Sequence, residues 1–229
     1  MGELDRIISM NSQSAGFDLV SESGVGRAFI LVYEEEGDGA FARAAAERIA
    51  AKSRCIVLRS PGITGDNWGA LTDQLRTHLQ SKNVRQGSFV GFGAAGALVQ
   101  NICLLDPRTV RAAVLFRAAS RAHPRLFDRL IDRMESALPL GLPLRRAERG
   151  FDSRPFLQRI RCPILIVTSP EASNEEQRDA TMMAERMPTA WQVTLGDEDR
   201  PAEFSRLVLD FSEVPAKAPQ KNTANDRGV

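Results

Sequence analysis

Residues 84–120 read VRQGSFVGFGAAGALVQNICLLDPRTVRAAVLFRAAS, and the fold is decided in this stretch. A short apolar run, Ser88–Gly91, breaks into Gly91-Phe92-Gly93-Ala94-Ala95-Gly96, five small residues around one phenylalanine. An apolar helical segment, Ala94–Leu105, starts at once and is stopped by Asp106-Pro107. A second buried run, Ala112–Phe116, follows. A strand that enters a helix through small residues alone can bring the two backbones close together. Two such strands joined by a helix form a right-handed parallel unit.

The same alternation extends in both directions. Upstream, Ala28–Tyr33 and Cys55–Leu58 are expected strands, each followed by a helix: Ala40–Ala51, then about Asn67 to Leu79 with Asp66 as its N-cap. Downstream, Pro163–Thr168 and Trp191–Leu195 are expected strands. Helices over Glu175–Met187 and Pro201–Phe211 follow them, the last with proline in its first turn. Strands that are apolar throughout, rather than alternating, belong to a sheet covered on both faces. The expected fold class is therefore α/β, a mostly parallel central sheet with helices on both faces. Met1–Gly26 is expected to add one or two edge strands.

Between the fourth and fifth of these strands lies an insertion, about residues 121–161. Leu126, Phe127, Leu130, Ile131, Met134 and Leu138 mark one helical face, and Arg125, Arg129 and Arg133 fall on the other side. We expect a small helical cap over the carboxyl end of the sheet, where ligands bind in such folds. An apolar cap face would also suit a homo-oligomer formed through it. The expected organisation is one domain over residues 1–211, carrying the cap. Residues 212–229, nearly devoid of apolar side chains, form an expected disordered tail.

Composition narrows the function classes. A formal net charge of +1 gives no footing for non-specific binding to nucleic acid or membrane. The charge is uneven, since Arg117–Arg161 carries eleven arginines against five acidic residues. No apolar run approaches the roughly 20 residues that span a bilayer. Cys55, Cys103 and Cys162 lie in or beside apolar runs with no paired spacing, which points to buried thiols in a reducing compartment. No basic segment leading into an apolar run opens the sequence. A cytoplasmic protein without metal or cofactor is the expectation.

The 84–120 stretch resembles the centre of the α/β-hydrolase superfamily, where a strand enters a sharp G-x-S-x-G turn and a helix follows directly. Leu105-Asp106-Pro107 and Val110-Arg111-Ala112-Ala113-Val114-Leu115 are similar to the family's next helix end and strand. Arg161-Cys162-Pro163-Ile164-Leu165-Ile166-Val167 resembles a later strand, and Leu195-Gly196 with Pro201, Glu203 and Phe204 resembles the last loop and closing helix. The likeness covers about Ala28 to Phe211.

That resemblance implies a catalytic triad, and the sequence departs from it. Aligned on the elbow, Gly93 takes the nucleophile position and offers no attacking atom. Asp197 takes the position of the general base, where a carboxylate does not shuttle protons near neutral pH as imidazole does. The acid position falls at Glu171 or Ala172, with no histidine to orient. The loop that helps to build the oxyanion hole is replaced by Tyr33-Glu34-Glu35-Glu36-Gly37-Asp38, whose carboxylates oppose a developing oxyanion. The two histidines, His78 and His123, match neither role.

The candidate pocket is Glu34, Phe92, Gly93 and Ala94 with Arg59, Arg117, Arg121 and His123. Glu34, Glu35, Glu36, Asp38, Asp66, Glu171, Asp197, Glu198 and Asp199 ring its mouth. They could face a divalent cation or a basic partner, and solvated loop carboxylates are the plainer account. Arg59, Arg117 and Arg121 could hold a carboxylate or phosphate, or pair with the rim. The expectation is a non-catalytic hydrolase-like protein that binds a small molecule or a protein. The alternative is an esterase, thioesterase or lyase using Glu171, Asp197 or His123 in a displaced arrangement.

Overall fold

The computed structural model describes residues 16–34, 38–63, 67–120, 151–196 and 200–213. Seven strands form one sheet: β1 (Asp18–Ser23), β2 (Ala28–Glu34), β3 (Arg54–Ser60), β4 (Gly87–Phe92), β5 (Val110–Phe116), β6 (Ile164–Thr168) and β7 (Ala190–Thr194). Their spatial order is β1-β3-β2-β4-β5-β6-β7. All adjacent pairs are parallel except β1 with β3. The Met1–Gly26 region thus contributes one described strand, an antiparallel edge, and residues 1–15 lie outside the described residues.

Among the described residues five α-helices accompany the sheet: α1 (Gly39–Ala50), α2 (Trp68–Ser81), α3 (Ala95–Leu105), α4 (Asn174–Arg186) and α5 (Arg200–Glu213). Successive strand residues point to opposite faces, and the two cores divide accordingly. Phe29, Leu31 and Tyr33 of β2 pack with Ala42, Ala45 and Ile49 of α1 and with Phe204 and Val208 of α5. Ile30 and Val32, one residue out of step, pack with Leu71 and Leu75 of α2, Leu98 and Ile102 of α3, and Met183 of α4. This two-sided burial is why the strands are apolar at every position.

The central helix α3 is buried on nearly every side, and its two polar residues both have hydrogen-bond partners. Asn101 Nδ2 donates to Thr72 Oγ1 at 3.0 Å, and that hydroxyl donates to the Trp68 carbonyl at 2.7 Å. Gln100 Nε2 donates to the Ala119 carbonyl at 3.0 Å and its Oε1 accepts from Ser153 Oγ at 2.6 Å. Ser153 N also donates to the Ser120 carbonyl at 2.8 Å. Ser120 in turn donates from N and Oγ to Asp179 at 2.6 and 2.5 Å. The insertion therefore leaves and re-enters the domain at one buried polar clamp. Residues 121–150, which hold most of the expected cap together with Arg121 and His123, lie outside the described residues. Phe151–Arg161 is described and forms a turn and the short 3₁₀ helix Leu157–Arg159.

Element boundaries shift by a residue or two from expectation, with two informative exceptions. Asn67, not Asp66, directly precedes α2, and its side chain caps nothing; it donates to the Gly62 carbonyl at 2.9 Å. Helix α4 opens with a full capping box, Ser173 Oγ accepting from Glu176 N and Glu176 Oε2 accepting from Ser173 N. The S-x-x-E signal at 173–176 was legible and passed over. Helix α5 runs to Glu213, two residues into the expected tail; the rest of that tail lies outside the described residues.

Beneath the mouth of the sheet, Phe41, Phe92, Phe116 and Phe204 form a compact aromatic cluster. Phe41 stacks on Phe116 with centroids 4.8 Å apart, and Phe204 meets Phe116 edge-on at 5.2 Å and Phe92 at 5.6 Å. Phe204 is fully buried, so its truncation leaves a cavity. Phe204→Ala is expected to lower unfolding free energy by about 3–5 kcal/mol, read as a lower midpoint in urea denaturation.

Candidate functional site

The chain runs outward from β2 in opposite directions, with β3 on one side and β4 on the other. Ligands in open α/β sheets bind in the crevice at such a reversal, at the carboxyl ends of the strands. Here that crevice lies between the loop after β2, which carries Asp38, and the turn after β4, which carries Gly93.

The turn is tight for reasons visible in its glycines. A Cβ on Gly91 would lie 2.7 Å from Gly96 Cα, and one on Gly96 would lie 2.2 Å from the Ala118 Cβ. Neither contact is tolerable without moving the backbone. Gly93 sits at the tip with φ +54°, the left-handed region where a side chain costs about 1–2 kcal/mol. Its N–H continues the ladder, donating to the Phe116 carbonyl at 2.9 Å. The turn has the geometry of a strand–helix elbow, and the residue at its tip bears no side chain.

The space over Gly93 belongs to Asp38. A Cβ on Gly93 would lie 3.3 Å from Asp38 Oδ2. Asp38 Oδ1 accepts from Arg117 Nη1 at 3.3 Å, and Arg117 Nη2 reaches Glu176 at 3.7 Å. Burial raises the Asp38 carboxyl above its ordinary range, and the Arg117 charge only partly offsets that. Arg117 itself is left-handed, φ +51°. For a residue with a Cβ that is strained backbone, held by its N–H to the Val167 carbonyl at 3.0 Å and by the two carboxylates.

The remaining mouth residues are tied to one another. Glu34 Oε1 accepts from Ile63 N at 2.6 Å, joining the ends of β2 and β3. Glu171 pairs with Arg200 at the start of α5. A backbone N–H and, after it, the Arg200 guanidinium hold the Glu171 carboxyl below its usual range. Glu203 Oε2 accepts from Gly196 N at 2.8 Å, fastening the near end of the 197–199 loop. Asp197, Glu198 and Asp199, like Glu35, Glu36 and Asp66, lie outside the described residues.

The other sequence candidates separate. The guanidinium of Arg59 reaches Asp18 on edge strand β1 at 2.7 Å. Phe92 is buried in the aromatic cluster, as its place in the turn suggested. Ala94 precedes α3 with helical backbone. His78 lies near the C-terminus of α2 beside Lys82 and Glu22, at the amino end of the sheet and away from the mouth. The three cysteines are buried and free. Burial pushes the Cys55 thiol up to about 12, and Cys103 is raised by the Cys162 hydrogen bond and by burial. Neither Cys55 nor Cys103 offers a thiolate near neutral pH. Among the described residues no group of three metal-ligating side chains comes together.

No protein-family model matches the sequence, and no curated protein matches it. Solved structures do match its fold. An enol-lactonase from Burkholderia xenovorans LB400 superposes with TM-score 0.65 at 13% identity, over 85% of this chain and 95% of that one. Est816, an N-acyl homoserine lactone degrading enzyme, gives 0.65 at 16% identity over 85% and 95%. MGS-M2, an alpha/beta hydrolase from a Medee basin deep-sea metagenome library, gives 0.63 at 15% identity over 90% and 96%. The chain has the α/β-hydrolase fold. At this identity the likeness establishes the fold alone. No helix among the described residues is long and apolar enough to cross a membrane.

Two outcomes follow for the elbow. Gly93→Ala meets the left-handed backbone and a close contact with the Asp38 side chain at Oδ2, so it should cost about 1–2 kcal/mol, whereas Gly96→Ala drives into Ala118 and should cost clearly more; chemical denaturation ranks them. The raised Asp38 carboxyl means that its charged form disfavours folding. Stability from this group is therefore gained as pH falls through its raised value and lost as pH returns to neutral. Asp38→Asn should abolish that contribution, flattening the acid-side rise when the pH profiles of the two proteins are subtracted.

Proposed function

We propose that the chain is a non-catalytic α/β-hydrolase-like protein that acts by binding a small molecule or a protein partner. The observation that carries this reading is the elbow tip: Gly93, without an attacking atom, lies under the Asp38 carboxylate that Arg117 holds in place. Acyl transfer needs a nucleophile at that tip and donors aimed at the oxyanion. A negative side chain there works against both. In this reading Gly93, Glu171 and Asp197 occupy the three triad positions, and Glu171 is tied to Arg200 rather than to an imidazole. The single domain with its cap insertion and a cytoplasmic setting, consistent with three free thiols, belong to the same proposal.

A second reading keeps the chemistry. The solved neighbours include lactone-degrading enzymes, and a hydrolase or lyase with displaced groups would share their fold. Hydrolysis of a panel of activated esters, thioesters and lactones by the purified protein separates the two. We expect no turnover above background, and none from Gly93→Ser alone, because a serine there would face Asp38 and no general base. Turnover by the unaltered protein that disappears in Glu171→Gln would overturn the non-catalytic reading.

A further inference from the structure

Below the clamp that closes the insertion, α4 and the segment Asp152–Pro155 enclose an open cleft of about 500 Å³. That volume lies within the range of small-molecule sites. None of the elbow residues lines it, so it is separate from the crevice over Gly93. Its long wall is set by helical spacing. Arg178, Met182 and Arg186 recur at four-residue intervals and all three line the cleft.

The charges in this cleft are of two kinds. Its three carboxylates, Asp152, Glu175 and Asp179, are engaged by the protein itself. Asp179 accepts from Ser120 N and Oγ at 2.6 and 2.5 Å. Asp152 accepts from Arg154 N and Nε at 3.0 and 2.9 Å. Arg178 and Arg186, in contrast, have no carboxylate partner among the described residues. Other arginines are also unpartnered on the surface, Arg85 among them, but these two share one concave wall with an apolar side chain between them. Two helical turns place their Cα atoms about 12 Å apart, a span that two carboxylates joined by a methylene chain can match.

We propose that this cleft binds a linear dicarboxylate. Each carboxylate is received by one guanidinium, which matches it in a two-point fork, and the methylene chain lies over Met182. A cationic ligand is disfavoured, because the carboxylates that would receive it already accept internal donors. The inference rests on the reading of the protein as a binder and gives that reading a ligand class.

The test titrates the full-length protein with α,ω-dicarboxylates from four to ten carbons, and with monocarboxylates of matched length, by calorimetry. Affinity should peak at an intermediate length and exceed that of the matched monocarboxylate at least ten-fold. Arg178→Gln and Arg186→Gln should each reduce the best dicarboxylate to the monocarboxylate level, while Arg85→Gln, outside the cleft, leaves it unchanged. Both target residues are exposed, so folding is retained and circular dichroism checks it. Met182→Ala should lessen the length preference. Affinity that is flat with chain length, equal for monocarboxylates, or indifferent to both cleft arginines overturns the cleft proposal. The ester assay judges the binding reading separately: turnover sinks that reading alone, and failed dicarboxylate binding without turnover sinks the cleft alone.

Discussion

Strand β4 and helix α3 meet with no room for a Cβ, and most of the molecule is arranged around that contact. Gly91 lies against Gly96, and Gly96 against Ala118, so β4, α3 and the end of β5 form one rigid corner. The chain must reverse there within a few residues, which requires a left-handed residue at the tip. Gly93 meets that need without the strain that a serine would bear. In an acyl-transfer enzyme the strain is tolerated because the hydroxyl it presents does chemistry. With glycine at the tip, the corner keeps its packing role and loses the reason for strain. The strain has not vanished from the site, however. It sits one strand over, at Arg117.

Arg117 explains how a mouth lined with carboxylates holds together. Asp38 is pulled out of water by the packing of α1 against the aromatic cluster, since Phe41 lies in the first turn of that helix. An aspartate so placed disfavours its own charge. The guanidinium that compensates must come from the neighbouring strand end, and only a left-handed turn of the chain brings it there. An ion pair with one partner this exposed contributes little net stability. What it does supply is position: the carboxylate remains over the elbow rather than swinging into solvent. Glu171 with Arg200 and Glu203 with Gly196 N act likewise on the far side.

The fold was legible because its signals are local and repeated. Apolar runs such as Ile30–Val32 and Ile164–Val167 specify two-sided burial, and the small residues from Gly91 to Gly96 specify the corner. The site was legible only as a set of missing groups. That Gly93 lacks a nucleophile follows from one letter. That Asp38 fills the space above it depends on two loops separated by 55 residues of chain meeting across the sheet reversal, which no spacing encodes. The same limit explains the pairing of Arg59 with Asp18. β1 runs antiparallel and sets Asp18 opposite Arg59. The direction of a weakly patterned edge strand was the missing information. The α4 arginines were passed over for a different reason: Arg178 and Arg186 look like ordinary surface charges until the turn after the insertion supplies a second wall.

The two ends of the sheet's carboxyl side have therefore diverged in character. Over the elbow, charges satisfy one another, and any ligand entering must displace an existing pair and leave a half-buried carboxylate unpaired, a cost of order 1–3 kcal/mol or more. Beside α4, Asp152 and Asp179 are satisfied by hydroxyl, backbone and guanidinium donors, while Arg178 and Arg186 have no carboxylate partner among the described residues. A ligand on those two arginines breaks no ion pair among the described residues. Binding is thus favoured at the base of the insertion, where Asp179 meets the buried Ser120, Ser153 and Gln100, over the crevice above Gly93. Occupancy of that cleft would load Asp179's helix directly, and through Ser120 and Ser153 both ends of the insertion. A bound molecule at α4 would then be coupled through Asp179 to Ser120 and Ser153, without any participation by the elbow.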